Sequence, residues 1–304
     1  MAAGHLPVLP REVCLMLNPA GKAVILDCTV GLGGHAEALL EHAGPDATLI
    51  GLDVDESNLH IAKERLSKFT ARVRLFQANF AQAGEVLQEA GVPAVDVLLA
   101  DLGISSRQLD DPARGLSFMA DGPLDMRLDL RMTRTAADLV NQTDETELAN
   151  LIFEYGEERY SRRIARAIGL TRKTQRIERT SQLADIIVRA MPAPVRHARR
   201  GAHPATRTFQ ALRIAVNEEL AVLEQLLAAI PNLLAVNGRA AIISFHSLED
   251  RLVKRSFAGW VESGSARLLC KKPLVADEQE VANNPRSRSA KLRGIEKQCE
   301  VRSA

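Results

Sequence analysis

The stretch DCTVGLGGHAE, residues 27–37, places a glycine-rich turn between a predicted strand and a predicted helix. An apolar run at 23–26 precedes the turn, and a helix-like pattern follows it from 36 to 42. A strand, a glycine turn and a helix in this order are typical of the nucleotide-binding corner of an α/β sheet. The stretch therefore predicts a nucleotide-like ligand, whose chemistry depends on the surrounding residues.

Three further strand-like runs follow the first, with helical patterns between them. The first four predicted strands are Val24–Thr29, Ala47–Val54, Arg72–Phe80 and Ala94–Leu102. Strands that alternate with helices indicate a mostly parallel, doubly wound sheet of the α/β class.

After residue 102 this alternation stops. Residues 103–135 are rich in Gly, Pro, Asp and Ser, and residues 136–190 show a basic helical pattern without a strand. A breaker-rich link at 191–204 and a single helix over Thr206–Ile230 are predicted next. Strands are then expected at Arg239–Phe245, Ala266–Lys271 and Ala290–Lys297, with a helix at Leu248–Ala258. We therefore predict one α/β domain, residues 1–104 and 216–304, interrupted by a helical insertion, residues 105–215.

The residues of the turn favour a positively charged nucleoside over a phosphate. A phosphate-binding P-loop needs Lys-Ser/Thr after its last glycine, whereas this chain has His35-Ala36. Asp27 ends the first strand, where a carboxylate repels a pyrophosphate and attracts a sulfonium or ammonium group. Asp53 ends the second strand, at a spacing that suits a carboxylate accepting hydrogen bonds from ribose hydroxyls. S-adenosylmethionine fits these requirements.

Composition is that of a globular protein, with 46% apolar and 25% charged residues among 304. The N-terminal residues lack the pattern of a secretion signal, and no apolar run reaches the length of about 18 residues that a membrane span needs. The four cysteines form no CxxC pair. We expect reduced thiols, no membrane association, no bound metal and a cytoplasmic location.

Charge is distributed unevenly along the chain, although its net value is only +1. Residues 151–215 carry 14 Lys/Arg against 5 Asp/Glu, and residues 251–304 carry 12 against 6. Such clustering indicates a polyanionic partner. Solvated helix faces with internal ion pairs are the alternative explanation.

Long motifs throughout the chain closely resemble those of the ribosomal RNA small subunit methyltransferase H family. They include HLPVLPREV at 5–13, DCTVGLGGHAE at 27–37, the stretch 101–129 that begins DLGISSRQL, YGEERYSRRIARAI at 155–168, HPATRTFQALRIAVNEEL at 203–220, ISFHSLEDRLVKR at 243–255 and NPRSRSAKLR at 284–293. The resemblance implies a class I S-adenosylmethionine-dependent methyltransferase fold with a helical insertion. It also implies methylation of N4 of a cytidine in the decoding centre of 16S rRNA.

The family's cofactor positions carry over to this sequence residue by residue. The resemblance implies that S-adenosylmethionine contacts Gly33, Gly34, His35, Asp53, Phe80, Asp101 and Gln108. The departures from the family pattern are small: Cys28 stands where glycine is commoner, Ile104 where valine is and Arg107 where proline is. We expect no change of activity from them.

Methylation of an exocyclic amine requires a group that orients the nitrogen and accepts its proton. Asp101, at the end of the fourth strand, is the candidate catalytic residue, and a purely cofactor-binding role is the alternative. Amino methyltransferases commonly place an aromatic residue just after this acid, and this chain has none there. Phe118 is therefore the first candidate to stack on the target base, with Tyr155 second and packing inside the insertion as the alternative.

For His35, contact through its backbone or capping of a helix is favoured over a role as a catalytic base. For His246 there are two equal alternatives: it orders the active-site loop, or it is a histidine of the core with its hydrogen bonds satisfied. RNA phosphates are expected to meet arginines of the insertion: Arg114, Arg127, Arg199, Arg200 and Arg207.

Two other functions are compatible with parts of this pattern. A DNA cytosine or adenine methyltransferase would share the sheet, but the insertion motifs argue against it. A non-catalytic RNA-binding assembly factor would share the fold, but the intact cofactor set argues against it. The sequence leaves open whether naked rRNA or an assembled small subunit is the substrate, and whether the chain forms a homodimer.

Overall fold

The computed structural model describes residues 6–21, 23–196 and 203–299, apart from the side chains of residues 70 and 71. Their contacts divide the chain into two compact units, Met1–Gly103 with Leu220–Ala304, and Ile104–Glu219. The sequence placed these divisions between 104 and 105 and between 215 and 216. We call them the sheet unit and the insertion unit.

The sheet unit contains seven strands. These are β1 (Val24–Asp27), β2 (Thr48–Asp53), β3 (Val73–Gln77), β4 (Val95–Asp101), β5 (Leu234–Ser244), β6 (Ala266–Leu268) and β7 (Lys291–Lys297). Their order in the sheet is β3-β2-β1-β4-β5-β7-β6. The first five strands are parallel, whereas β7 is antiparallel to both β5 and β6. The predicted α/β class, with a mostly parallel sheet, is confirmed.

Helices cover both faces of this sheet, because its strands are apolar on both sides. The bounds of these helices are α1 (Pro10–Leu17), α2 (Gly34–Ala43), α3 (Glu56–Arg65), α4 (Ala83–Ala90), α12 (Glu219–Leu233), α13 (Ser247–Glu262) and α14 (Glu278–Asn283). On one face Leu26, Ile50 and Leu98 form a core with α4, α12 and α13. On the other face Ile25, Leu49 and Leu99 pack against α1, α2 and α3. Short 3₁₀ turns lie at Ser67–Arg72, Phe80–Gln82 and Pro285–Ser289.

The insertion unit is helical and has its own core. Its helices are α5 (Ser106–Asp110), α6 (Ala136–Gln142), α7 (Glu145–Gly156), α8 (Ser161–Thr171), α9 (Thr180–Ala190), α10 (Ala193–Arg196) and α11 (Thr206–Asn217), with a 3₁₀ turn at Pro112–Arg114. Ile152, Ile164 and Leu183 lie at the centre of this core, fully buried. The segment 111–135 forms a loop held by backbone hydrogen bonds such as Met126 N to Arg114 O, 3.0 Å.

The single helix predicted over Thr206–Ile230 is wrong, because the chain forms α11 and α12 instead. Glu218 separates them in a left-handed conformation with φ 51°, and its amide donates to the carbonyl of Ile214 as the C-terminal cap of α11. A left-handed residue ends a helix, and glycine usually occupies the position. The sequence carries glutamate there, so no breaker marks the end of the helix.

None of the described helices is both long and apolar enough to cross a membrane. All four cysteines are free thiols.

Candidate active site

Three carboxylates lie at one edge of the sheet, where the parallel strands end. Asp27 is the last residue of β1, Asp53 of β2 and Asp101 of β4. Because β1 pairs with both β2 and β4, the three strand ends are neighbours. Ligands of open α/β sheets bind outside the carboxyl ends of the strands. This edge is therefore the candidate active site.

The glycine turn joins β1 to α2 at this edge. Gly33 caps α2 in a left-handed conformation with φ 80°, and a Cβ atom at this position would stand 3.3 Å from the Cα atom of Ala62. A side chain at Gly34 would meet Pro7 at the same distance. A residue with a side chain would thus be strained at Gly33 and crowded at Gly34. Because both positions are glycine, no side chain of these two residues covers the backbone of the turn.

Asp53 ties the turn to the end of β2. One carboxylate oxygen accepts from the amide of Gly31 at 2.9 Å, and the other accepts from the amide of Asp55 at 2.8 Å. The side-chain amide of Asn58 lies 3.4 Å from both oxygens. Burial raises the pKa of Asp53 to about 6, although these hydrogen bonds act to lower it. A ribose hydroxyl that donates to either oxygen would replace one of the two long contacts from Asn58.

Thr29 connects the ends of β1 and β4. Its amide donates to a carboxylate oxygen of Asp27 at 3.1 Å, and its hydroxyl accepts from the amide of Asp101 at 2.7 Å. No sequence pattern predicted this role for Thr29. The only sequence feature that could have indicated it is its position two residues after the aspartate that ends β1, because an Asp side chain commonly accepts from the backbone amide two residues later.

His35 faces Asp101 and does not cap a helix, so the expected capping role is wrong. Gly33 occupies the N-cap of α2 and no side chain caps this helix. The imidazole is buried, and its Nε2 atom lies 3.4 Å from Oδ2 of Asp101, whose side chain is 20% exposed. As the second residue of α2, His35 points from the turn toward the neighbouring strand end. Its backbone contact with a cofactor stays a prediction.

Several buried polar atoms of this group have no hydrogen-bond partner among the described residues. They are Oδ2 of Asp27, Oδ1 of Asp101 and both ring nitrogens of His35. An unsatisfied buried polar group costs about 1–3 kcal/mol, so such a cluster is typical of a ligand site. Acceptor oxygens beside a bare glycine backbone fit a cationic nucleoside such as S-adenosylmethionine.

Asp27 makes the stability of the protein depend on pH. Burial raises its pKa to about 7, although the charge of His35 acts to lower it. The folded chain therefore holds a proton that the unfolded chain releases above pH ~4. The contribution of Asp27 to the free energy of unfolding is therefore fully present below pH ~4 and is lost as the pH rises through ~7.

We expect Asp27→Asn to reduce the fall in the free energy of unfolding between pH 5 and pH 8. A pKa shift is worth about 1.4 kcal/mol per unit, so the difference should reach a few kcal/mol. Urea unfolding of the ligand-free chain at both pH values measures it. Asp46→Asn, at an exposed position, should keep the slope of the unaltered chain. An identical slope in Asp27→Asn would contradict the assignment.

Histidine 246 lies after β5 and caps the next helix. Its Nδ1 atom accepts from the amide of Glu249 at 3.4 Å, as the N-cap of α13, and its Nε2 atom lies 3.2 Å from the carboxylate of Glu249. This arrangement fixes the start of α13. Ordering of the active-site loop by His246 stays a prediction.

The other two predicted cofactor residues lie in different units. Phe80 starts a 3₁₀ turn just after β3 and is half-buried against the core of the sheet unit. Gln108 is buried in the insertion unit, where its side chain accepts from the amide of Ser105 at 3.0 Å and completes a capping box. Their contact with a cofactor stays a prediction.

Phe118, the first candidate for base stacking, packs inside the insertion unit. Its ring stacks on His203 with centroids 4.6 Å apart, and it meets Phe209 edge-on at 4.9 Å. His203 is exposed and Phe118 only half-buried. The packing alternative therefore describes Phe118 in this structure, and base stacking stays a prediction.

The predicted RNA-contacting arginines differ in how the fold uses them. Arg127 forms a bidentate ion pair with Asp125 and also donates to Met132 O. Arg114 donates to Leu128 O at 2.8 Å, and Arg207 donates to Glu157 O at 2.9 Å from an exposed position. Arg199 and Arg200 lie outside the described residues.

Helix α8 has an exposed basic face that was not predicted from the sequence. Ile164, Ala165 and Ile168 of this helix are buried in the core of the insertion unit. The exposed side of the same helix carries arginines without a partner among the described residues: Arg162, Arg163 and Arg166. The helical spacing of these cations in RRIAR, opposite the apolar positions, was the signal that could have found them.

Comparison with known proteins places these features in a family. A sequence model described as the MraW methylase family matches residues 2–298. A protein of Geobacter sulfurreducens called "Ribosomal RNA small subunit methyltransferase H" is 49% identical over 98% of this chain and 100% of its own length. One of the same name from Trichormus variabilis is 50% identical over 98% of this chain and 93% of its own. A solved structure of an rRNA methylase from Streptococcus thermophilus aligns with a TM-score of 0.44 at 10% identity, over 95% of each chain.

Proposed function

The chain belongs to the MraW methylase family, as its motifs implied, and from this membership we propose that it transfers a methyl group from S-adenosylmethionine to N4 of a cytidine in 16S ribosomal RNA. The α/β fold expected of a class I methyltransferase is present. We place the target cytidine in the decoding centre and the protein in the cytoplasm.

Within the structure, the feature that best supports this proposal is the group of carboxylates at the edge of the sheet. Asp101 stands beside the glycine turn with one carboxylate oxygen unbonded among the described residues and His35 at 3.4 Å from the other. A carboxylate at the end of β4 can accept a hydrogen bond from an amine that enters the site. Asp53 stands at the end of β2, two strands away, where it suits the ribose of a nucleoside.

S-adenosylmethionine, when bound, supplies an electrophilic methyl group on a positively charged sulfur. The backbone of Gly33 and Gly34 would hold it closely, and Asp53 would bind its ribose. The amine of cytosine is a weak nucleophile, because its lone pair is delocalised into the ring. Asp101 orients this amine through a hydrogen bond and stabilises the positive charge that develops on the nitrogen. His35, beside Asp101, limits the rotation of its carboxylate.

The insertion unit is proposed to bind the RNA substrate. Its α8 presents three exposed arginines, and cations of this kind bind phosphates irrespective of sequence. An assembled or partly assembled small subunit is the proposed form of the substrate.

Nucleoside analysis of small-subunit rRNA tests the proposed function. We expect N4-methylated cytidine to disappear from one position in a strain that lacks this protein, and to return when the unaltered gene is restored. Restoration with Asp101→Asn should leave the position largely unmethylated. An unchanged set of modified nucleosides in the deletion strain would overturn the proposal.

Transfer of labelled methyl groups in vitro separates the proposal from the two other functions. Label in small-subunit rRNA supports it, whereas label in duplex DNA would indicate a DNA methyltransferase. Binding of S-adenosylmethionine without transfer to any ribosomal substrate would indicate a non-catalytic assembly factor.

We expect Arg162→Gln with Arg166→Gln to weaken binding to the ribosomal substrate and to reduce its dependence on salt. Each lost phosphate contact should reduce the slope of log affinity against log salt by about 1. Filter binding at several salt concentrations measures both quantities. Lys63→Gln with Lys254→Gln removes the same charge from exposed positions of the sheet unit and should change the slope less. Equal slopes for all three proteins would exclude α8 from the interface.

A further inference from the structure

The N-terminal strap, residues Leu6–Leu9, lies against the glycine turn. The nearest atom to a Cβ placed at Gly34 is Cδ of Pro7 at 3.3 Å, followed by Nη1 of Arg65 and Cβ of Pro7, both at 3.4 Å. The next two residues of the strap, Val8 and Leu9, are buried in the sheet unit. The strap therefore forms one wall of the turn that the proposed function assigns to S-adenosylmethionine.

The backbone of the strap is held in an uncommon conformation. Leu9 has φ 52° and ψ 41°, in the left-handed region that branched and bulky residues rarely adopt. It is the N-cap of α1, yet no side chain of its own closes the helix. Such a conformation persists only when the surrounding structure imposes it.

Two side chains from the opposite end of the chain hold the strap in place. The amide of Leu9 donates to a carboxylate oxygen of Glu280 at 2.7 Å, across 271 residues of sequence. The side-chain amide of Asn284 donates to the carbonyl of Leu6 at 3.2 Å, across 278 residues. The bond from Leu9 ends on a charged acceptor and is therefore the stronger of the two.

Glu280 and Asn284 are themselves fixed by local structure. The amide of Glu280 donates to Asp277, the N-cap of α14, at 2.7 Å. The carbonyl of Asn284 accepts from both the amide and the hydroxyl of Ser287, which is fully buried. The motifs at 5–13 and 284–293 thus meet at the strap, and neither is used by the methyl-transfer chemistry.

We propose that Glu280 and Asn284 are positioning residues for the cofactor: they hold the N-terminal strap, and the strap keeps the glycine turn in the conformation that binds S-adenosylmethionine. This inference rests on the proposed function. Without Glu280 the Leu9 amide loses its acceptor, and the strap relaxes toward an ordinary backbone conformation. Pro7 then no longer confines Gly34, and the turn becomes more mobile.

Calorimetric titration with S-adenosylmethionine tests the inference, together with amide hydrogen exchange over residues 31–36 of the ligand-free protein. We expect Glu280→Ala to weaken binding about tenfold and to speed exchange in this segment. Glu280→Gln keeps an acceptor oxygen and should restore most of the affinity. Turnover at saturating cofactor should stay close to that of the unaltered chain, because the strap does not touch the reacting amine.

The matched control is Glu278→Ala, which removes an exposed carboxylate from the same helix. It should leave both affinity and exchange unchanged. Normal affinity and normal exchange in folded Glu280→Ala would overturn the inference, as would equal effects from Glu278→Ala. If Glu280→Ala does not fold, Asn284→Ala is judged by the same two measurements. If the unaltered chain itself does not bind S-adenosylmethionine, the proposed function is overturned together with the inference. If the unaltered chain binds and Glu280→Ala binds equally well, only the inference is overturned.

Discussion

Replacement of Asp101 by asparagine should reduce turnover by about 10²-fold or more, the usual scale for a positioned acid–base group. Asparagine keeps the shape and one acceptor oxygen but removes the negative charge. The backbone amide of residue 101 would still donate to Thr29, so the end of β4 should keep its place. Cofactor affinity should fall much less than turnover.

Single-turnover rates at saturating cofactor, compared with equilibrium affinity, measure the two effects separately. The control is Asp96→Asn on the same strand, where the carboxylate accepts from the amide of Val24 at the opposite end of β4. This variant should turn over normally. A normal saturated rate with weak cofactor binding in Asp101→Asn would show that Asp101 only binds the cofactor.

Asp53→Ala should have the largest effect on cofactor binding. Two ribose hydroxyls would lose a charged acceptor, worth about 1.5–3 kcal/mol for each bond. The alanine also releases the amides of Gly31 and Asp55 and so loosens the turn itself. We therefore expect at least a hundredfold loss of affinity by calorimetry, which corresponds to about 2.8 kcal/mol.

Asp55→Ala is the control that separates a looser fold from a lost ribose contact. Asp55 caps α3 by accepting from the amide of Ser57, and loss of such a cap typically costs about 1 kcal/mol of stability. Its effect on cofactor affinity should be small. If the two variants bind equally well, Asp53 does not contact the cofactor.

The arrangement of the three carboxylates could be predicted from sequence because parallel topology determines it. Once β1, β2 and β4 are recognised as parallel neighbours, residues at their carboxyl ends must meet at one edge. The direction of the His35 side chain could not be predicted, because it depends on how far α2 turns after Gly33. A glycine turn of this length allows several such rotations.

Other errors arose where the usual local signals are absent. The end of α11 at Glu218 has no glycine, and β5 begins at Leu234, five residues earlier than predicted. Asn237 adopts a left-handed conformation with φ 66° and shifts the register against β4. The bond between Leu9 and Glu280 leaves no pattern in sequence, because it depends on two segments that only the complete fold brings together.

The bond between Leu9 and Glu280 affects the time during synthesis at which activity can arise. During synthesis β4 can pair with β5 only after more than a hundred further residues have been made. Contacts of such high sequence separation form slowly. The hydrogen bond from the amide of Leu9 forms later still, because Glu280 must first leave the ribosomal exit tunnel. A nascent chain therefore carries the glycine turn long before the turn has its final support. Emergence of Glu280, and not emergence of the motif, should determine when the site becomes competent.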